Sequence, residues 1–140
     1  MPNWCYTSIA VRASKKKIDL IEKEMEQALS SNPLNADFGN EWLGNLLLHI
    51  GHDERSVADS VIRCRGNVTE CKRSAPGQLS ISTLSAWGPH VTCIKTFCRH
   101  YSRKAKVLYV ADEPGNNLYW TNIPEQVNEG YIFVPIGDET

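Results

Sequence analysis

The stretch from Gln78 to Tyr101 most constrains the fold, because it reads as a strand, a sharp turn and a helix in direct succession. Alternate residues from Leu79 to Trp87 fall on one face at the period of two that is typical of a strand. Pro89 fixes its own φ angle and keeps Gly88 out of helical geometry, so the strand ends there. An apolar stripe at helical spacing follows: Val91, Ile94, Phe97, Cys98 and Tyr101. With a further strand expected over 106–111, the stretch predicts a β-α-β unit.

The chain before this unit predicts one strand, two helices and a second strand. Residues 3–13 alternate as a strand, and Ser14 caps a helix expected to end near Ser31. After a loop over 32–39, residues 41–51 predict a short and very apolar helix, with a further turn over 53–59. Residues 61–73 predict the second strand, and the turn at 74–77 joins it to the third strand as a hairpin.

The remaining residues predict a turn or bulge at 112–117, an extended segment at 118–122 and an edge strand at 131–136. The order β-α-(α)-β-β-α-β is typical of the α+β class and of the ferredoxin-like split βαβ sandwich, with an insertion at about 32–60 that carries the short helix. A length of 140 residues suits a single domain over 1–140. Right-handed crossovers place strands one and three side by side and both long helices on one face.

Charge and cysteine content exclude several classes of protein. The net charge of −1 creates no global field toward nucleic acid or membrane, and no apolar run is long enough to span a bilayer. The first eight residues lack the basic and apolar regions of an export signal, so we expect a cytoplasmic protein. Five cysteines without a Cys-x-x-Cys pair predict thiols, with no metal and no cofactor.

Several short motifs together resemble the YubB-like ferredoxin-like domain family, which includes Api92-like proteins. They are MPNWCYTSIAV at the start, EWLGNLLLHIG at 41–51, RCRG at 63–66, SAWGPH at 85–90 and EPGNNLYWTN at 113–122. The resemblance covers most of the chain, and its more specific parts are PNW, the Ala-Trp before a Pro-started helix and the Glu-Pro-Gly turn. It implies the fold and a setting on bacterial plasmids, phages or other mobile elements, and it supplies no catalytic residues.

One candidate binding surface combines tryptophans with an acidic turn. Its residues are Asn3, Trp4, Trp87, Glu113, Tyr119 and Trp120. We expect central strands one and three to run parallel, which would put Trp4 near one end of the sheet and Trp87 near the other. Asn3 and Trp4 with Glu113 then form the better cluster, suited to a basic or amide-bearing partner. The alternative is a packed tryptophan at a strand entry, with Glu113 accepting backbone hydrogen bonds in the turn.

A second candidate surface is basic. It consists of Arg63, Arg65, Lys72, Arg73, Arg99, Arg103 and Lys104. Sheets of this fold can stack RNA bases on exposed aromatic rings, which makes nucleic acid an alternative partner. The aromatic signature of such sheets is absent from strand three, where Leu79 to Thr83 carry no aromatic side chain.

Catalysis has little support in the sequence. The four histidines and the scattered serines and cysteines form no recognisable triad, and no glycine-rich loop is suited to phosphate. His49 and His52 have helical ligand spacing without a third ligand nearby, so a packed, hydrogen-bonded His49 is the better interpretation. We therefore expect a non-enzymatic binding module that contacts a host protein. The alternatives are a single-stranded nucleic-acid-binding protein and an enzyme of unknown reaction.

The apolar residues of the 41–51 helix wrap around most of its circumference, so one sheet face cannot cover them all. We expect this helix to extend the core or to cover a sheet edge. Its outer face is covered either by residues 32–39 and 131–136 of the same chain or by another chain. Exposure of a leucine costs roughly 1.5–3 kcal/mol, so we expect the face to be covered. We favour cover from within the chain, because the C-terminal segment is apolar and has no other place in the predicted fold.

Overall fold

The centre of the molecule is the first strand, which pairs along its length with strands from two later parts of the chain. A computed structural model describes residues 3–30, 39–53, 64–123 and 132–133. The strands are β1 (Trp4–Arg12), β2 (Gly66–Ala75), β3 (Gln78–Ala86), β4 (Lys106–Glu113), β5 (Leu118–Thr121) and β6 (Ile132–Phe133). The helices are α1 (Lys15–Ala28), α2 (Gly44–His49) and α3 (Val91–Tyr101).

The six strands form one sheet in the order β2-β3-β1-β4-β5-β6. Neighbouring strands from β2 to β5 in this order are antiparallel, and β6 pairs parallel with β5. The fold is therefore α+β, as the sequence predicts. The two-residue β6 lies within the edge strand predicted at 131–136, and the other residues of that prediction lie outside the described residues.

One face of the sheet is packed against the helices, and the other is exposed along β1. The odd-numbered residues of β1, β3 and β4 are buried. Six of them join the buried residues of all three helices in one apolar core: Ile9, Val11, Leu79, Ile81, Val107 and Tyr109. The even-numbered residues of β1 are mostly exposed. The helices therefore lie on one face, as predicted for the two long helices, and the opposite side is called the open face below.

Helix α1 starts where the sequence predicts. The Ser14 side chain accepts a hydrogen bond from the Lys17 N–H at 3.3 Å, which satisfies one of the unpaired donors of the first turn. Ile18, Ile21 and Met25 are fully buried on its inner stripe. From the packed face of β2, Arg73 reaches α1 and donates to Asp19 at 2.7 Å and to Glu22 at 3.1 Å.

The 41–51 segment differs from the predicted single helix. Residues 41–43 instead lie along the outer edge of β2, where the Leu43 N–H donates to the Gly66 carbonyl and the Val68 N–H donates to the Glu41 carbonyl. These backbone bonds satisfy an otherwise exposed strand edge, and α2 begins only after them. The expectation that this segment covers a sheet edge is confirmed.

The apolar side chains of α2 are covered by other parts of the same chain. Leu43, Leu46 and Leu47 are fully buried and Leu48 is nearly so, while α2 packs against α1 and α3. The helix thus extends the core as well. The segments that we expected to cover it, 32–39 and 131–136, lie mostly outside the described residues, so their part in the cover stays a prediction.

Strand directions correct one expectation. Strands β1 and β3 run antiparallel, with Trp4 opposite Ala86 and Arg12 opposite Gln78. A hairpin reverses β3 relative to β2, so a right-handed crossover that keeps β2 parallel to β1 makes β3 antiparallel to β1. The prediction that the two central strands are parallel is wrong, and Trp4 and Trp87 therefore lie at the same end of the sheet.

Strand boundaries are shifted in two places. Strand β4 continues through Asp112 and Glu113, so the predicted turn at 112–117 is confined to its last four residues. Cys64 and Arg65 precede β2 and are not part of it, and residues 61–63 lie outside the described residues. None of the described helices is long and apolar enough to span a membrane.

Candidate functional site

The first residues of β1, the last residues of β3 and the last residues of β4 meet at one end of the sheet. The Trp87 N–H donates to the Asn3 carbonyl at 3.0 Å, and Trp4 pairs with Ala86. On the other side of β1, Tyr6 pairs directly with Asp112. Antiparallel pairing therefore brings Asn3, Trp4 and Trp87 together with the end of β4, including the predicted neighbourhood of Asn3 and Trp4 with Glu113.

Three large aromatic side chains are exposed at this end. Trp4 is 43% exposed, Tyr6 53% and Trp87 51%, and these are the exposed large hydrophobic residues of the described chain. Trp4 and Tyr6 are two residues apart on β1, so both side chains stand on the open face. We call Trp4, Tyr6 and Trp87 the aromatic surface. Clustered exposed aromatic residues are typical of binding sites, whereas isolated ones are ordinary.

A carboxylate stands directly beside Tyr6 on the open face. Asp112 is its cross-strand partner, which places their Cβ atoms roughly 4.5–5.5 Å apart. Among the described residues, no basic side chain forms an ion pair with Asp112. Within the described residues, the negative charge beside the aromatic surface is not paired with a cation.

The turn after β4 is held by polar contacts and close packing. Glu113 is only 2% exposed, and its carboxylate accepts a hydrogen bond from the Asn116 amide at 3.0 Å. A Cβ atom added at Gly115 would lie 2.9 Å from the Asn3 side-chain oxygen, so the Asn3 side chain packs closely against this turn. Glu113 thus supports the turn from inside and does not face a partner.

The loop that carries Trp87 has an unusual backbone. Trp87 and His90 have positive φ angles of 66° and 50°, a region that non-glycine residues rarely occupy. The Ser85 hydroxyl donates to the Gly88 carbonyl at 2.5 Å. His90 Nε2 lies 2.6 Å from the Ala86 carbonyl, and together these two contacts hold the loop. A bulky residue at positive φ costs of order 1–3 kcal/mol, and here the strained residue is one whose ring is exposed.

Tyr119 and Trp120 do not share this exposure. Tyr119 is 3% exposed, and Trp120 is half-buried and packs against the apolar core. Tyr119 pairs with Asp112, so it lies on the same face of the sheet as Tyr6 and is buried there. Of the six residues proposed for the surface from the sequence, Trp4 and Trp87 present large exposed side chains.

The basic residues proposed from the sequence are distributed over separate parts of the molecule. Arg65 lies at the end of the sheet that carries Trp4, because its carbonyl accepts from the Ala86 N–H. Lys72 pairs with Glu70, and Arg73 is engaged with α1 on the packed face. Arg99 donates to the Ala105 carbonyl at the end of α3, Arg103 and Lys104 are exposed in the following turn, and Arg63 lies outside the described residues.

The thiol at the start of β1 is protonated at neutral pH. Burial raises the pKa of Cys5 to about 12, the hydrogen bond with Thr7 opposes this, and the charges of Glu113 and Asp112 raise it further. Burial is also the main cause of the raised pKa of Cys71, about 11, and of Cys98, about 12. Because the thiolate is the reactive form, these three thiols are poor nucleophiles.

The histidines and acidic residues form no metal centre in the described part of the chain. His49 lies 2.7 Å from the Glu24 carboxylate and near the ring of Phe97, which matches the packed, hydrogen-bonded histidine predicted from the sequence. His90 contacts a backbone carbonyl of its own loop. His49 and His90 are therefore engaged in contacts that stabilise the fold.

Two contributors to this site were missed by sequence reasoning. Tyr6 is not among the surface residues predicted from the sequence, and Asp112 is predicted there as part of a turn. The signal for Tyr6 was present in the alternation of β1, where Trp4 and Tyr6 fall on the same face. Asp112 could be found only from the register between β1 and β4, which no local pattern specifies.

Comparisons with known proteins identify no relative: no family model, no curated protein and no solved structure matches the chain.

Proposed function

We propose that this chain is a small non-enzymatic binding module whose aromatic surface contacts a host protein through basic or amide-bearing side chains. The observation that carries the proposal is the exposure of Trp4, Tyr6 and Trp87 at one end of the sheet, beside the carboxylate of Asp112. Large aromatic side chains dominate protein-binding energies when they pack into a partner.

The chemistry of the partner follows from the charge at this end. An arginine or lysine side chain can lie over the face of an exposed aromatic ring and gain about 0.5–2 kcal/mol. The same cation can pair with Asp112, whose charge is not neutralised by a basic residue of the described chain. A basic segment of a partner protein therefore suits both features at once.

The ferredoxin-like arrangement of the fold and the setting on bacterial mobile elements are part of the same proposal. The strand order β2-β3-β1-β4, with long helices in both crossovers, supports the ferredoxin-like arrangement, which β5 and β6 would extend. Membership of the YubB-like family, with its setting on bacterial mobile elements, stays a prediction from the sequence motifs.

Single-stranded nucleic acid is the second candidate ligand, and a specific observation favours it. Arg12 and Lys106 pair across β1 and β4 on the open face, at the end opposite Trp4. Eight residues of strand separate Trp4 from Arg12, a span of roughly 26 Å. A strand of several nucleotides could stack on the aromatic surface and place its phosphates near these cations.

The test compares capture of a partner from bacterial lysate by three variants. Trp4→Ser with Tyr6→Ser removes two exposed rings, Asp112→Asn removes one charge, and Gln27→Ser on the exposed side of α1 is the control. We expect the double variant to lose binding by about 30-fold or more, as loss of aromatic hot spots does. Asp112→Asn should weaken binding by about five-fold, and the control should bind normally.

Nuclease and salt separate the two ligands. Capture of a protein should survive nuclease and fall only modestly with salt. Binding that vanishes with nuclease and falls steeply with salt would identify nucleic acid as the ligand. A partner that the double variant captures as well as the wild type does would overturn the aromatic surface as the binding site.

A further inference from the structure

Two buried cysteines from distant parts of the chain meet inside the molecule. The Sγ atoms of Cys64 and Cys93 are 2.9 Å apart, although the two residues are 29 positions apart in sequence. Cys64 lies two residues before β2 and is 7% exposed, while Cys93 lies in the first turn of α3 and is fully buried. An S–S bond is about 2.05 Å long, so less than about 1 Å of further approach is needed to form one.

The backbone around Cys64 is anchored on two sides. Its carbonyl accepts a hydrogen bond from the Trp42 indole N–H at 2.6 Å. The next two residues are also held, because the Arg65 carbonyl accepts from Ala86 and the Gly66 carbonyl accepts from Leu43. On the other side, Cys93 is fixed by the helix. The approach of the two sulfur atoms is therefore a property of the packed fold.

The two thiols differ in their readiness to ionise. The hydrogen bond from Cys93 lowers the pKa of Cys64. The same contact, together with burial, raises the pKa of Cys93. Cys64 is 7% exposed and Cys93 is fully buried, so Cys64 is the residue of the pair that lies nearer to solvent.

We propose that Cys64 and Cys93 are a modification site that closes to a reversible disulfide in the presence of a small disulfide oxidant such as oxidised glutathione. The Cys64 thiolate attacks one sulfur of the oxidant, and one glutathione leaves as its thiolate. The Cys93 thiol then loses its proton to solvent and attacks Cys64 Sγ, and the second glutathione leaves as its thiolate. Two protein thiols are oxidised, and one oxidant disulfide is reduced to two thiols.

The consequence is a covalent link between α3 and the entry to β2. Helix α3 follows the strained loop that carries Trp87, and the segment before β2 touches Ala86 through Arg65. Closure of the disulfide therefore ties together the two elements that flank one side of the exposed end of the sheet. This inference does not depend on which ligand the aromatic surface binds.

The experiment incubates the folded protein with oxidised glutathione and maps cysteine pairing by mass spectrometry without reduction. We expect the wild type to go from five alkylatable thiols to three, with peptides containing Cys64 and Cys93 joined. Cys71→Ser is the matched control and should behave like the wild type. Cys93→Ser should stop at a glutathione adduct on Cys64, and Cys64→Ser should form no disulfide involving Cys93.

Circular dichroism verifies that each serine variant is folded. If a variant is not folded, the peptide map of the wild type alone tests the proposed disulfide. Five remaining thiols, a glutathione adduct on the wild type that does not resolve, or a disulfide between other cysteines would each overturn the proposal.

Discussion

Trp42 is the residue on which the β2 edge and α2 both depend. Its indole N–H donates to the Cys64 carbonyl at 2.6 Å, and its six-membered ring covers the start of α2. A Cβ atom added at Gly44 would overlap this ring. Glycine is therefore required at the first position of α2 by close packing, although alanine is the better helix former by up to about 1 kcal/mol.

We predict that Gly44→Ala destabilises the protein by about 1–3 kcal/mol, because the added methyl group must displace the indole. Chemical denaturation measures the free energy of unfolding. In a Trp42→Leu background the ring is absent, and the same substitution should then be neutral or slightly stabilising. A Gly44→Ala protein more stable than the wild type would show that the indole does not occupy this position.

Cys5 gives a pH-dependent prediction near the aromatic surface. Its folded-state pKa of about 12 is above the ordinary value of 9.0, because burial disfavours the thiolate. As pH rises above 9, the thiol of the unfolded chain ionises while the folded one stays protonated. The unfolded state then binds fewer protons, so stability that is complete below pH 9 is lost as pH rises toward 12.

Cys5→Ser removes this titration, so we expect its stability to fall less than that of the wild type between about pH 8 and about pH 10.5. Urea denaturation of both proteins at the two pH values measures the difference. Lysines and tyrosines titrate in both proteins and cancel in the comparison. Equal losses of stability would mean that the Cys5 thiol does not resist ionisation in the folded protein.

Helix α2 shows which features of a helix a local sequence pattern can predict and which it cannot. Its composition correctly predicts deep burial, since Leu46 and Leu47 are fully buried. Its start could not be predicted, because residues 41–43 pair with β2 and backbone pairing leaves no signature in side-chain order. The caps and stripe of α1 are local features, and there the predicted start and the apolar residues agree with the structure.

We predict that Leu47→Asp and Leu48→Asp, made separately, each unfold the protein or lower its melting temperature strongly. Loss of a buried leucine alone costs about 2–5 kcal/mol, and an unpaired buried charge adds to this. Thermal melts and sedimentation of each variant provide the test, with Lys23→Ser on the exposed side of α1 as the control. If both variants stay folded and lose only a dimer or a complex, another chain provides the cover for α2.

At the scale of the whole molecule, the class and order of elements were predictable, and the site was predictable only in part. Each strand and helix has its own periodicity, but the direction of β3 relative to β1 depends on the hairpin and on the crossover together. The sequence predicts the wrong direction for β3, and this prediction places Trp4 and Trp87 at opposite ends of the sheet. In the structure the two residues lie at the same end. The assignment of Asn3 and Trp4 to the neighbourhood of Glu113 needed only the antiparallel relation of β1 to β4, and it agrees with the structure.

The open end of the sheet gives a prediction about the molecule in solution. Of the four tryptophans, Trp4 and Trp87 are about half exposed, whereas Trp42 and Trp120 pack against the core. Because iodide reaches only exposed indoles, we expect it to quench about half of the tryptophan emission. Trp4→Phe with Trp87→Phe should remove the quenchable part, and Trp120→Phe, the control, should keep it. If quenching of the wild type instead falls as protein concentration rises, a second copy of the chain covers the aromatic surface, and the surface is then a site of self-association.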